Sequence, residues 1–253
     1  MAKAAEAARA ELHFFEEAGW SAFYEEFPAK GSTWKQGLMM PKILKEVDHI
    51  ILMPRCSRHV LAGSTLGLKA AVGYWRTDTR LEYHRDASTF QEKTASGNTV
   101  NTLLKKQRLV ISAADKILTT FGPDKGFVSQ PEIGLVMASE SVVAHDMVSL
   151  AWLLENRLAV PSSEKEGFKD PYGSQWMVSA GNHWVVSKLG GLGPAIDSER
   201  LTRNDINTIW DDRVLNRAYQ VFGNRPAVVL EEANEGVPQA LKMRLAQGTT
   251  PPA

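Results

Sequence analysis

Four short apolar runs of β-type residues limit how this chain can fold: HIILM at 49–53, RLVISAA at 108–114, GLVMAS at 134–139 and AVVLEE at 227–232. Most are separated by stretches with helical signals. Strands alternating with helices predict an α/β fold, an open and mostly parallel sheet flanked by helices, with a helix-rich C-terminal part. The clearest helix is SESVVAHDMVSLAWLLENR, where Val143, Met147, Leu150 and Leu154 share one stripe and Ser139 or Ser141 can cap the start. A short helix is expected from Pro41 to Val47. Another is expected to run to Tyr74, capped by Ser64 or Thr65, with Gly67 and Gly73 allowing close packing. The opening MAKAAEAARAELHFFEEAGW reads as an Ala-rich helix with Leu12, Phe15 and the neighbouring Phe14 on its buried side.

The pattern divides the chain into an α/β core at 1–160, which holds the candidate site, and a helix-rich extension at 161–253 packing on it as one compact unit. PSSEKEGFKDP, polar and bounded by prolines, reads as a linker or lid between them. Lys plus Arg and Asp plus Glu are equal at 29 each, so no global field draws the chain to nucleic acid or an anionic membrane. A nucleic-acid role would rest only on a local basic run with Tyr74 and Trp75 interleaved, and is not expected. The single Cys56 rules out a disulfide framework and a self-contained iron–sulfur cluster. No apolar run approaches the roughly 20 residues that span a bilayer. The first thirty residues lack a signal-peptide core, so a soluble cytoplasmic protein is expected.

If the strands run parallel, ligands bind beyond their carboxyl ends. HIILM is followed by Arg55, Cys56, Arg58 and His59, RLVISAA by Asp115 and the turn FGPDKG, and GLVMAS by His145 and Asp146 in the first turns of the strong helix. From Arg55 to Arg85 six Lys or Arg face only Asp78 and Glu82, a local excess of four that suits an anion. Arg55 and Arg58 equally suit a solvated loop, and Lys69, alone in the apolar LGLKAAVGYW, either snorkels or meets an anion. His59 and His84 lack tight metal-ligand spacing. An electropositive loop would lower the Cys56 pKa, although a buried inert thiol is the commoner case. No P-loop, dinucleotide fingerprint or Gly-x-Ser-x-Gly elbow is present, and the HRD at 84–86 lacks the other kinase motifs.

These same residues carry a resemblance. MPRCSRH with His59, LKAAVG with Lys69 and Gly73, then Arg80 and His84, SAADKILTTFGPDKG with Asp115, Gly122, Pro123 and Gly126, and SVVAHD with Val143, Ala144 and Asp146 follow one another over about residues 10–155. In order and context the series resembles the domain of unknown function 362 family, whose members sometimes also carry a ferredoxin-type domain. Departures are Arg55 and Arg58 for lysines, Ala70 for an Asn and Ser141 for an Asp. The family's leading strand with Lys-Pro-Asn and its helix are absent from the start of this chain, as are ferredoxin cysteines. A missing first strand leaves a sheet edge, which predicts a homodimer or coverage by the helices after residue 171.

Residues and resemblance together predict binding of a small anionic molecule, with or without a divalent metal, and catalysis on it as an option. Arg55, Arg58, Lys69, Arg80, Gly122 and Gly126 would bind the ligand. His59, Asp115 and Asp146 would be the acid/base groups, and His59, His84 and Asp146 the metal ligands. The strong helix is expected to aim its N-terminus at the site with Asp146 facing the ligand, so that Asp146→Asn weakens binding without unfolding the chain. The rival reading is a non-catalytic binding or scaffold protein derived from such an enzyme.

Overall fold

The computed structural model describes residues 2–252. It runs through helix α1 (Ala2–Ala7), strands β1 (Phe23–Glu26), β2 (Leu38–Pro41), β3 (Ile50–Leu52), β4 (Ser57–His59) and β5 (Gly63–Thr65), then helices α2 (Gly67–Ala70), α3 (Thr77–Arg85), α4 (Phe90–Ser96) and α5 (Asn101–Lys106). Strands β6 (Gln107–Ala114), β7 (Ile117–Leu118), β8 (Val128–Ser129) and β9 (Leu135–Ser139) follow, and then helices α6 (Val142–Leu158), α7 (Gln175–Gly190), α8 (Leu192–Ile196), α9 (Arg213–Val221) and α10 (Gln239–Gly248).

The fold is α/β, with mixed sheets flanked by helices. Strands order as β3-β6-β9 in one sheet and β5-β4-β7-β8 in another, with β1 and β2 forming an antiparallel pair. β3 and β6 are parallel, joined through helices α2 to α5, as a parallel crossover requires. β9, however, is antiparallel to β6, with Val110 opposite Ser139 and Ala114 opposite Leu135. The carboxyl ends of β3 and β9 therefore lie at the level of Val110, whereas Asp115 leaves the far end of β6, roughly 17 Å away at strand rise. The expected meeting of three strand ends is reduced to two.

Ser141 caps α6 by accepting the Ala144 N–H at 3.2 Å, and Val143, Met147 and Leu150 are buried as the stripe predicts. One apolar cluster takes in Leu52, Val110 and Leu150 together with Val178, Leu201, Leu241 and Leu245 from the C-terminal part. Three expectations fail. The N-terminal helix stops at Ala7, with Leu12 and Phe14 exposed, because so short a helix without a packed face has little to sustain it. AVVLEE forms no ladder. Ser64 and Thr65 belong to β5, so they do not cap the following helix.

Candidate functional site

The loop after β3 turns inward at once. Pro54 is fixed by the Ser112 hydroxyl, which donates to its carbonyl at 3.1 Å, and β4 then carries Ser57, Arg58 and His59 into the interior. Gly122 packs on this strand: its φ is +66°, and a Cβ there would stand 1.9 Å from the Arg58 carbonyl oxygen. Gly126, at φ +135°, closes the same turn against the Thr120 carbonyl. Both glycines thus shape the wall behind Arg58 through backbone contact.

Arg58 is 3% exposed. Its guanidinium carbon lies 3.7 Å above the centre of the Tyr172 ring, and its Nε and Nη1 have no hydrogen-bond partner. The nearby Asp170 is engaged by Arg157 at 2.5 Å and by the Phe121 N–H at 3.2 Å. Asp212 is also close, 1% exposed, with one oxygen accepting the Leu215 N–H at 2.7 Å as the cap of α9 and Oδ2 unpartnered. Burial, assisted by the charge of Asp146, pushes the Asp212 carboxyl up to about 7. The Tyr172 and Thr65 hydroxyls are likewise buried without partners.

His59 is buried, and its Nδ1 accepts the N–H groups of Leu61 and Ala62 at 3.1 and 3.3 Å, so Nε2 carries the ring proton. Burial, with Lys69, His84 and Arg58 nearby, holds it well below the usual histidine range. His84 donates through Nδ1 to Asn182 Oδ1 at 2.8 Å, an orientation fixed by the return bond from Asn182 Nδ2 to the His84 carbonyl. Burial brings His84 down to about 4 despite that bond. Lys69, partly buried, forms no ion pair among the described residues, and burial together with Arg80 lowers its ammonium to about 8. Arg80 bonds the Trp75 carbonyl at 2.7 Å and Glu16 at 2.5 Å. His59 thus lies within electrostatic reach of Arg58, Lys69 and His84, and Arg80 within reach of Lys69 and His84.

The other expected members lie elsewhere. Arg55 is exposed and reaches only Asp124, at 3.6 Å, and Asp115 is exposed at the far end of β6. Asp146 is buried and points at backbone: it accepts the N–H groups of Gly67 and Leu68, each at 2.7 Å, and the His145 Nδ1–H at 2.9 Å. It caps α2 from across the fold, in the role expected of Ser64 or Thr65. His145 Nε2 lies 2.9 Å from Ser112 Oγ, which gives the connectivity of a Ser-His-Asp triad, but Ser112 is fully buried and tied to Pro54. That chain is a strut joining β6, α6 and α2. Cys56 is buried, its thiol donates to the Ser149 carbonyl at 3.3 Å, and burial pushes it up to about 12, so of the two readings the buried inert thiol holds and the activated one does not.

No three His, Cys, Asp or Glu side chains among the described residues come together to hold a metal ion. The set His59, His84 and Asp146 is dispersed because Asp146 is drawn off to cap α2. A void of about 10 Å³ lies between Ser64, Lys69, Asp146 and Asp212, room for about one water molecule.

The family model with the description Domain of unknown function (DUF362) matches residues 1–151. The chain belongs to this family. No curated protein and no solved structure matches it. The matched region supplies Arg58, His59, Lys69, Arg80 and His84, whereas Tyr172, Asn182 and Asp212 come from beyond it. Sequence reasoning missed Asp212 and Tyr172. A signal for the first existed: Asp212 immediately precedes the amphipathic RVLNRAYQV and reads as a helix cap. Nothing local marks Tyr172. No helix among the described residues is long and apolar enough to cross a membrane.

Proposed function

We propose that the protein binds a small anionic molecule between the β4–α2 segment and the C-terminal part, with Arg58 and Lys69 as its positive charges. The observation that carries this reading is Arg58, a buried guanidinium with two unmet donors and no carboxylate partner. Each unmet buried donor costs about 1–3 kcal/mol, more for a charged group, and an anion that reached Arg58 would recover the cost. The void beside Lys69 holds about one water molecule, so the C-terminal part has to move to admit it. The Tyr172 hydroxyl and the His59 Nε2–H are further donors with no competing protein acceptor. A divalent metal is not part of the proposal.

Binding without chemistry is the better-supported form. His59 is held neutral with its Nδ1 spent on backbone, Asp146 is spent likewise, and Asp115 faces solvent. Asp212, pushed up to about 7, is the group in this space suited to carry a proton if a reaction occurs there. The test is thermal unfolding of the full chain with millimolar phosphate, sulfate or small carboxylates. At least one should raise Tm by roughly 3 °C or more, and Lys69→Gln should reduce that shift. No shift with any of them would count against the reading.

A further inference from the structure

β9 is the last strand of its sheet: β6 pairs with it on one side, and among the described residues no main-chain hydrogen bond leaves it on the other. Across a groove of about 410 Å³ runs the 227–232 segment, the expected strand that forms no ladder. Its main-chain groups also make no main-chain hydrogen bonds among the described residues. Yet its side chains alternate as a strand's would, Val228 and Leu230 against the core and Ala227 and Val229 outward. β9 alternates too, with Leu135 buried and Val136 76% exposed. The groove thus lies between the unpaired edge of β9 and a strand-like segment without main-chain partners among the described residues, and its apolar lining includes Val136, Ala138, Val148, Val228, Leu230 and Leu245.

We infer that this groove accepts an extended peptide segment as an added strand, pairing with the free edge of β9 and seating alternate apolar side chains between β9 and residues 227–232. Unmet main-chain groups along an edge supply affinity for a strand, and side-chain pockets at period two supply selection. Charge adds a second preference. Glu232 at the rim is paired with Lys242 at 3.0 Å, whereas Glu231 and the nearby Glu140 are exposed and without ion-pair partners among the described residues. The peptide that fits therefore carries a basic residue beside its apolar stretch. This site is separate from the Arg58 site and does not depend on it.

The test uses the full chain, isotopically labelled, and the capped peptide Lys-Val-Thr-Val-Thr-Val-Lys. Saturable shifts of the 135–139 and 227–232 amides, with hydrogen exchange of the β9 amides slowed roughly tenfold or more, are expected. N-methylation at alternate residues along the pairing edge should weaken binding about tenfold or more, because it removes the ladder but keeps the apolar side chains. Glu231→Lys, a change at an exposed position, should weaken the Lys-flanked peptide several-fold and favour a Glu-flanked version. The inference is overturned if these amides do not respond, if the N-methylated peptide binds equally well, or if decanoate fills the groove and the peptide does not.

Discussion

A carboxyl that burial has pushed up to about 7 ties the fold's stability to pH in a direction opposite to an ordinary salt-bridged Asp. Folded Asp212 keeps its proton where the unfolded chain has released it, so its contribution is full below about pH 4 and is lost as pH rises through about 7. His59 and His84, both lowered, act the other way below their ordinary range. Comparison with Asp212→Asn isolates the effect, since Asn still caps Leu215. Urea unfolding at pH 5 and pH 8 should find that the wild type loses a few kcal/mol relative to the variant over that interval. Parallel behaviour would place the Asp212 carboxyl in its ordinary range. Lys69 sets a second pH dependence: with its ammonium at about 8, anion affinity should fall as pH rises through 8, because the proton that attracts the ligand is lost. An affinity flat from pH 7 to 9 would remove Lys69 from the site.

At the scale of elements, Asp146 joins α6 to α2, and the sequence-based expectation for Asp146→Asn reverses. An amide has one acceptor oxygen where the carboxylate bonds two N–H groups and His145, so the variant should lose roughly 2–4 kcal/mol in urea unfolding. A loss within about 0.5 kcal/mol would mean the cap is dispensable. Much of this architecture was legible. HIILM, RLVISAA, GLVMAS and the Val143 to Leu154 stripe all fall on real elements, because period and β-type composition are local signals. Strand direction was less so, although a clue existed: residues 115–134 between β6 and β9 contain no helical pattern, and a parallel return needs a crossover that usually holds a helix. AVVLEE has strand composition and strand alternation but no neighbour to pair with, and pairing is a tertiary fact. Of the candidate site, the local excess of basic residues that suggested it was readable. Asp146 was misread because its partners at Gly67 and Leu68 lie far off in sequence.

For the whole molecule, the proposed site draws on both parts of the chain. Arg58 comes from the family region, and Tyr172, which covers its guanidinium, comes from the extension. The sheet's other edge raises a separate matter. β3 has no strand on its outer side among the described residues, and Ile51 and Met53 are 54% and 78% exposed. A homodimer that covers this edge is the expected outcome, read by light scattering at micromolar concentration, with Met53→Lys shifting the population to monomer. A wild-type monomer at all concentrations would show that three residues are too short an edge to recruit a partner. The anion proposal is tested most directly by calorimetric titration of orthophosphate, sulfate and succinate into wild type and Arg58→Met. At least one anion should bind the wild type saturably at one site and bind the variant about 100-fold or more weakly, while the ligand-free variant is as stable as the wild type or more so, having lost an unpaired buried charge. An anion bound equally tightly by both proteins, or none bound by the wild type, would contradict the account.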